Sequence, residues 1–342
     1  MNAKMGVAIL GTGDVSGEHI KAFQQNPHTE VVGLLSRDRA RAEAKAAEYG
    51  LEGCRPYTQL DELLKNDEIR IVSVCTPHHL HVEQGSACAE AGRHILVEKP
   101  IALDLAGLRR LDAAVQRNRV KSLVSFVLRW NPLFETIKAI LADGTIGEIF
   151  YAEVDYFHGI GQSYSGHHWI SRKESGGSSL LSAGCHAVDG LRWFLGQQAV
   201  EVTAYANFSK SNPFDYQFEP NSVTLVKFAD GAIGKVGSSI EAVMPYAFNI
   251  LLMGDQGTIR NNQLFTRRWP GQKGWATIPT ILPDSGDVTH HPFVGEVNHF
   301  LDCIRSGRES HCNIADAVKT HEICLAGDAS AREGRVVRLP LD

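Results

Sequence analysis

The first 128 residues alternate short apolar runs with helix-patterned stretches, and this alternation limits the fold more than any other feature. "GVAIL" (6–10), "VVGLLS" (31–36), "IRIVSVC" (69–75), "HILV" (94–97) and "KSLVSFVL" (121–128) read as strands. They lack the polar-apolar alternation of a half-exposed strand, so both faces are expected to be covered. Helical patterns lie between them, from Gly11 to 25 and at 38–49, 60–65, 80–92 and 104–118. A β-α period of this kind predicts an α/β doubly wound parallel sheet, whose ligands sit beyond the carboxyl ends of the strands.

At 342 residues the chain exceeds what one hydrophobic core usually fills, so two domains are expected, at 1–125 and 126–342. The second part reads differently. Strand-like runs at 148–157, 200–208, 222–229, 232–239 and 247–253, with turn signals such as Asp230-Gly231, predict a large, mostly antiparallel sheet. A net charge of −5 offers no basic field for nucleic acid or anionic lipid. The amino end enters a strand at once, without a long apolar segment or cleavage site, and a cytoplasmic protein is expected. Seven scattered cysteines, never spaced C-x-x-C, read as buried thiols of a reducing compartment.

The first β-α turn is Gly11-Thr12-Gly13-Asp14-Val15-Ser16, a dinucleotide fingerprint with Ser16 in the third glycine's place. About twenty residues later an NAD site carries an acid for the ribose 2′-hydroxyl; this chain has Ser36, then Arg37 and Arg41. A hydroxyl and two guanidiniums suit a 2′-phosphate, so the expectation leans to NADP over NAD, with Asp38 as the residue that tempers it. Thr76-Pro77 ends a buried strand, and His78, His79 and His81 follow. No acid or cysteine accompanies these histidines at ligand spacing, so no metal is expected. The run Ile95–Val97 ends in Glu98-Lys99-Pro100, placing an ammonium where a parallel sheet binds its ligand.

Taken together, Gly11-x-Gly13-x-x-Ser16-x-x-His19, Thr76-Pro77-x-x-x-His81 and Glu98-Lys99-Pro100 resemble the Gfo/Idh/MocA family of oxidoreductases (glucose–fructose oxidoreductase, inositol dehydrogenase). "GGSSLLSAGCHAVDGLRWFLG" at 176–196 is similar to the family's histidine-bearing helix, and the likeness runs the whole chain. The resemblance implies a Rossmann domain followed by a substrate and oligomerisation domain. Cofactor contacts are then expected from Gly11 to Val15, Ser36, Arg37, Arg41, Thr76, Pro77, His78, His81, Glu98 and Lys99. It further implies a sugar, inositol-like polyol or sugar derivative as substrate, and a homodimer or homotetramer built through the carboxy-terminal sheet. Relatives that retain NAD and act as glycosidases or lyases, and a non-catalytic nicotinamide-binding regulator, are the alternatives.

In that resemblance Lys99 and His186 flank the substrate beside the nicotinamide. Histidine titrates near neutrality, whereas lysine exchanges a proton there only when desolvated or placed near another cation. His186 is therefore expected to carry the proton and Lys99 to orient and polarise the reacting oxygen. Arg129, Tyr156, His158, Trp169, Arg172 and Ser182 are candidate substrate contacts. One unbroken helix over 179–195 would put Ser182, His186, Asp189 and Trp193 on a single face, with Asp189 able to orient the imidazole. Many family members carry Asp where this chain has Ser182.

Overall fold

The strands expected in the first part form one parallel sheet in the structure, a computed structural model that describes residues 4–280, 283 and 291–342. Its elements are β1 (Met5–Leu10), α1 (Asp14–Gln25), β2 (Thr29–Leu35), α2 (Arg39–Glu48), β3 (Arg55–Tyr57), α3 (Leu60–Leu64), β4 (Ile69–Val74), α4 (His81–Glu90), β5 (His94–Val97), α5 (Leu105–Asn118) and β6 (Ser122–Val124). The order is β3-β2-β1-β4-β5-β6 and every pairing is parallel. Strand order reverses between β1 and β4, and ligands of such sheets bind in the crevice at that reversal. Val7, Ala8, Ile9 and Leu10 are wholly buried, which accounts for the unbroken apolar run. Helix starts are set by side chains: Asp38 caps α2 by accepting from Ala40 N, and Asp104 caps α5 by accepting from Gly107 N.

Two local expectations change. The run 121–128 keeps strand geometry only to Val124, because Ser125 N turns to donate to Val97 O and the chain enters a 3₁₀ turn at Val127–Trp130. β3 also joins the sheet edge, where a three-residue strand containing proline leaves little periodic signal.

The remaining elements are α6 (Pro132–Ala142), β7 (Ile149–Phe157), α7 (His167–Ile170), α8 (Lys173–Gly176), α9 (Cys185–Leu195), β8 (Ala199–Asn207), β9 (Asn221–Phe228), β10 (Ile233–Ser239), β11 (Ala247–Gly254), β12 (Gly257–Arg260), β13 (Gln263–Thr266) and β14 (Ala276–Thr277), then α10 (Phe293–Ser306), α11 (Ile314–Glu333) and β15 (Val337–Arg338). Among the described residues the second sheet runs β14-β13-β12-β11-β7-β10-β9-β8-β15, antiparallel except between β7 and β10. On β9 one face is buried through Ser222, Thr224, Val226 and Phe228, and α9 packs against β7 and β10.

The chain forms two units, one of residues up to Phe126 with Pro292–Val318, the other of Val127–His291 with Lys319–Asp342. There is a return of residues 292–318 to the first unit. Its physical cause is the apolar stripe of α10, Phe293, Val297, Phe300 and Leu301, which is buried; α10 packs on α1. Cys312 O also accepts from Val124 N at 2.8 Å, extending the bonding beyond β6.

Candidate active site

The dinucleotide turn has the shape its sequence requires. Gly11 sits at φ +100°, and a Cβ there would lie 2.6 Å from Cys75 O, so only glycine fits. A Cβ on Gly13 would meet nothing within 4 Å, which leaves open space over the turn. Gly13 is the N-cap of α1 and supplies no side-chain cap, so the first amides of α1 are donors for an anion. Those features fit a pyrophosphate. Ser16, in the third glycine's place, donates to Gly13 O at 2.6 Å and braces the turn. The close-packing glycine is instead Gly17, against whose Cα the Tyr49 hydroxyl lies.

At the end of β2, Ser36 is buried and receives a 3.4 Å hydrogen bond from Thr12 Oγ1. Arg37 and Arg41 are exposed. Asp38 caps α2, its Oδ1 accepting from Ala40 N at 2.9 Å. Past β4, Thr76 donates to Gln84 Oε1 at 2.6 Å. His78 is buried, with its ring 5.8 Å from that of His81. His81 has its Nδ1 2.7 Å from Pro100 O and its Nε2 2.6 Å from Thr76 O. It ties the loop after β4 to the loop after β5. Both of its ring nitrogens face backbone carbonyls. Burial holds its pKa below the ordinary histidine value, although those carbonyls pull the other way.

Glu98 is the anchor of the Lys99 loop. Its Oε1 lies 2.9 Å from His19 Nε2, and its Oε2 accepts from the Lys99 backbone N–H at 3.2 Å. His19 Nδ1 is 2.9 Å from Ser73 Oγ. Burial works against the charged form of His19, but the Cys75 sulfur and the Glu98 carboxylate outweigh it and push the imidazole well above its usual range. For Glu98, burial favours the neutral acid, while His19, Lys99 and Ser125 together hold the carboxyl below its usual value. The two directions agree on a buried imidazolium–carboxylate pair.

In the second unit the helix expected over 179–195 is interrupted. Leu180–Gly184 is a π turn, and α9 starts after it. A π turn inserts one residue, so positions on its two sides lose the shared i, i+4 face. The single face of Ser182, His186, Asp189 and Trp193 is corrected accordingly. Ser182 Oγ lies 2.6 Å from Ser178 O and 3.0 Å from Gly176 O, donating to the backbone and bracing the turn. Asp189 does not orient His186. It accepts from Arg129 Nε at 2.7 Å and Nη2 at 2.6 Å and from Thr320 Oγ1 at 3.0 Å. Arg129 is buried, paired in this fork and stacked over Trp193 at 4.6 Å.

His186 stacks on Tyr156, with centroids 6.0 Å apart and planes 15° from parallel. Tyr246 meets Tyr156 edge-on at 5.3 Å and His158 at 5.5 Å. Tyr156 Oη lies 3.4 Å from His158 Nδ1. Burial, with smaller contributions from Tyr246 and Cys185, pushes the Tyr156 phenol well above its ordinary pKa. It remains a neutral hydroxyl, and His186 is the imidazole stacked on it. Trp169 is half-buried on α7, and Arg172 forms an exposed 3.4 Å pair with Asp215.

Residues 5–126 match the model of an oxidoreductase family with an NAD-binding Rossmann fold, and 134–260 match the Gfo/Idh/MocA carboxy-terminal domain. The chain belongs to the Gfo/Idh/MocA oxidoreductase family. It is an NAD-binding dehydrogenase. Among its relatives, a scyllo-inositol 2-dehydrogenase (NAD(+)) of Bacillus subtilis strain 168 is 27% identical over 99% of this chain and 97% of that protein. A D-apiose dehydrogenase of Paraburkholderia graminis is 27% identical over 97% of this chain and 89% of that one. The crystal structure of GenD2 from gentamicin A biosynthesis, in complex with NAD, superposes with TM-score 0.84 and 27% identity, covering 100% of this chain and 98% of that chain.

Three residues of this family member escape a reading of motifs. Tyr246 lies in a loop before β11 and joins Tyr156 only through the fold. Ser125 looked like an interior strand residue. Glu296 did leave a signal, an acid on the apolar stripe Phe293, Val297 and Phe300.

Proposed function

We propose that the chain oxidises a secondary hydroxyl of a neutral cyclic polyol or sugar, passing hydride to NADP and the hydroxyl proton to His186. The observation that carries this reading is the pairing of a dinucleotide turn and an anchored Lys99 in a family whose relatives include inositol and apiose dehydrogenases. Bound dinucleotide supplies the hydride acceptor. Lys99 polarises the substrate oxygen, which favours loss of its proton. His186 takes that proton, held in orientation by its stack on Tyr156. Tyr156, Tyr246 and Trp169 offer apolar rings to the C–H face of a sugar ring, and Arg172 is a further candidate contact.

NADP is preferred because Ser36 stands where NAD enzymes carry an acid, and Arg37 and Arg41 supply exposed guanidiniums. Ser36→Asp is expected to shift the NADP-to-NAD affinity ratio toward NAD by on the order of 10- to 100-fold, measured by fluorescence titration of both dinucleotides. An unchanged ratio would remove the argument for NADP.

A homodimer or homotetramer through the second sheet is part of the same proposal. Tyr205 is 82% exposed and opposes Val223 across the β8–β9 pairing; Leu225 and Ile233 extend the row, at 44% and 49%. Such a row of exposed apolar side chains suits burial against a second copy. Among the described residues no helix is long and apolar enough to cross a membrane. All seven cysteines are free thiols, which suits a reducing cytoplasm.

Turnover of myo-inositol, scyllo-inositol and apiose with NADP or NAD tests the reading. Reduced nicotinamide is expected with at least one of them. Cleavage of an aryl glycoside without net reduction would favour an NAD-retaining glycosidase instead.

A further inference from the structure

A chain of three buried polar side chains ends at the Lys99 loop. Ser73, on β4, and His19, on α1, have no exposed surface, and Glu98, after β5, is buried too. Ser73 Oγ lies 2.9 Å from His19 Nδ1, and His19 Nε2 lies 2.9 Å from Glu98 Oε1. Glu98 Oε2 then accepts from the Lys99 backbone N–H at 3.2 Å. Ser73 Oγ is also 3.4 Å from Cys75 Sγ. A serine, a histidine and an acid in this order serve acyl transfer where the hydroxyl is open to substrate. Here the hydroxyl is sealed, and the chain terminates on a peptide N–H instead.

Two proton patterns satisfy these distances. Either Ser73 donates to a neutral imidazole, or an imidazolium donates from both nitrogens and Ser73 passes its own proton to Cys75 Sγ. The Glu98 carboxylate decides between them. A buried carboxylate is costly without a cation beside it, and the ring at 2.9 Å is that cation. Burial opposes the charge on His19, and Cys75 and Glu98 outweigh it. We propose that His19 is a positioning residue for Lys99: an imidazolium braced by Ser73 fixes the Glu98 carboxylate, whose second oxygen sets the peptide N–H of Lys99. The inference rests on the catalytic role proposed above for Lys99. His19 lies in the second turn of α1, the helix that the dinucleotide turn opens, so the chain ties the Lys99 loop to that helix.

The test compares wild type with His19→Gln, which keeps a donor but no charge, and with Glu98→Gln, whose amide meets two partners that both donate. Nuclear magnetic resonance of the full chain labelled with ¹⁵N-histidine reads the ring directly. Wild type is expected to show two protonated His19 ring nitrogens at neutral pH, assigned by their loss in His19→Gln, and Glu98→Gln to show one. Hydrogen exchange of the 94–103 peptide, read by mass spectrometry, is expected to quicken in both variants. In turnover, each lowers kcat by on the order of 10- to 100-fold at nearly unchanged dinucleotide affinity, the cost of a misplaced reacting group. A single protonated ring nitrogen in wild type overturns the proposal, even where a variant fails to fold. A lowered Tm with wild-type kcat in the folded fraction overturns it as well, because a merely structural pair gives that result. If Lys99→Ala retains full turnover, the role proposed for Lys99 fails, while the ring signals and the exchange data still judge the grip of His19 on its loop.

Discussion

Lys99→Ala is expected to lower kcat by about 10²–10³-fold, and His186→Ala by about 10²–10⁴-fold, with dinucleotide affinity nearly unchanged, if the proposed roles hold. The two losses differ in kind. Removing Lys99 takes away a charge that stabilises the oxygen as its proton leaves, so the pH profile keeps its shape at a lower level. Removing His186 takes away the proton acceptor, so the acidic limb of kcat flattens and added imidazole restores part of the rate. Tyr156 cannot substitute, because burial keeps its phenol protonated. Pre-steady-state traces of the two variants across pH check this. A flattened acidic limb in Lys99→Ala, with a retained one in His186→Ala, would exchange the roles.

The second large effect is on stability. Arg129→Met leaves Asp189 buried against Thr320 with its principal counter-charge gone, since the fork at 2.7 and 2.6 Å is what offsets its desolvation. Breaking such a buried pair from one side costs about 3–5 kcal/mol, a fall in Tm on the order of 10 °C for a unit of this size. The double variant Arg129→Met/Asp189→Leu recovers most of that loss, because two apolar side chains replace two desolvated charges. Calorimetry of the three proteins decides it. A single variant with unchanged Tm and a raised substrate KM would return Arg129 to the substrate site.

The contrast between these effects follows from how far each residue's partners lie along the chain. The positions of Gly11, next after β1, and of Lys99, two residues past β5, were legible because each lies just beyond a strand buried on both faces. The parallel sheet was legible for the same reason, and the larger sheet from its alternation. Arg129 and Asp189 are 60 positions apart and Ser125 and Glu296 are 171, so neither contact leaves a local pattern. The break in the helix over 179–195 was not legible because a one-residue π insertion has no periodic signature, yet it sets the Ser182 hydroxyl against the Ser178 and Gly176 carbonyls.

The central claim is hydride transfer from a polyol carbon to nicotinamide, and isotopic transfer measures it directly. Wild-type protein is incubated with an inositol deuterated at its ring carbons and oxidised dinucleotide, and the reduced nicotinamide is analysed by mass spectrometry. One deuterium per dinucleotide is the predicted result, with none transferred by Lys99→Ala on the same timescale. Reduced nicotinamide without deuterium, or product formation with no nicotinamide reduced, would contradict it.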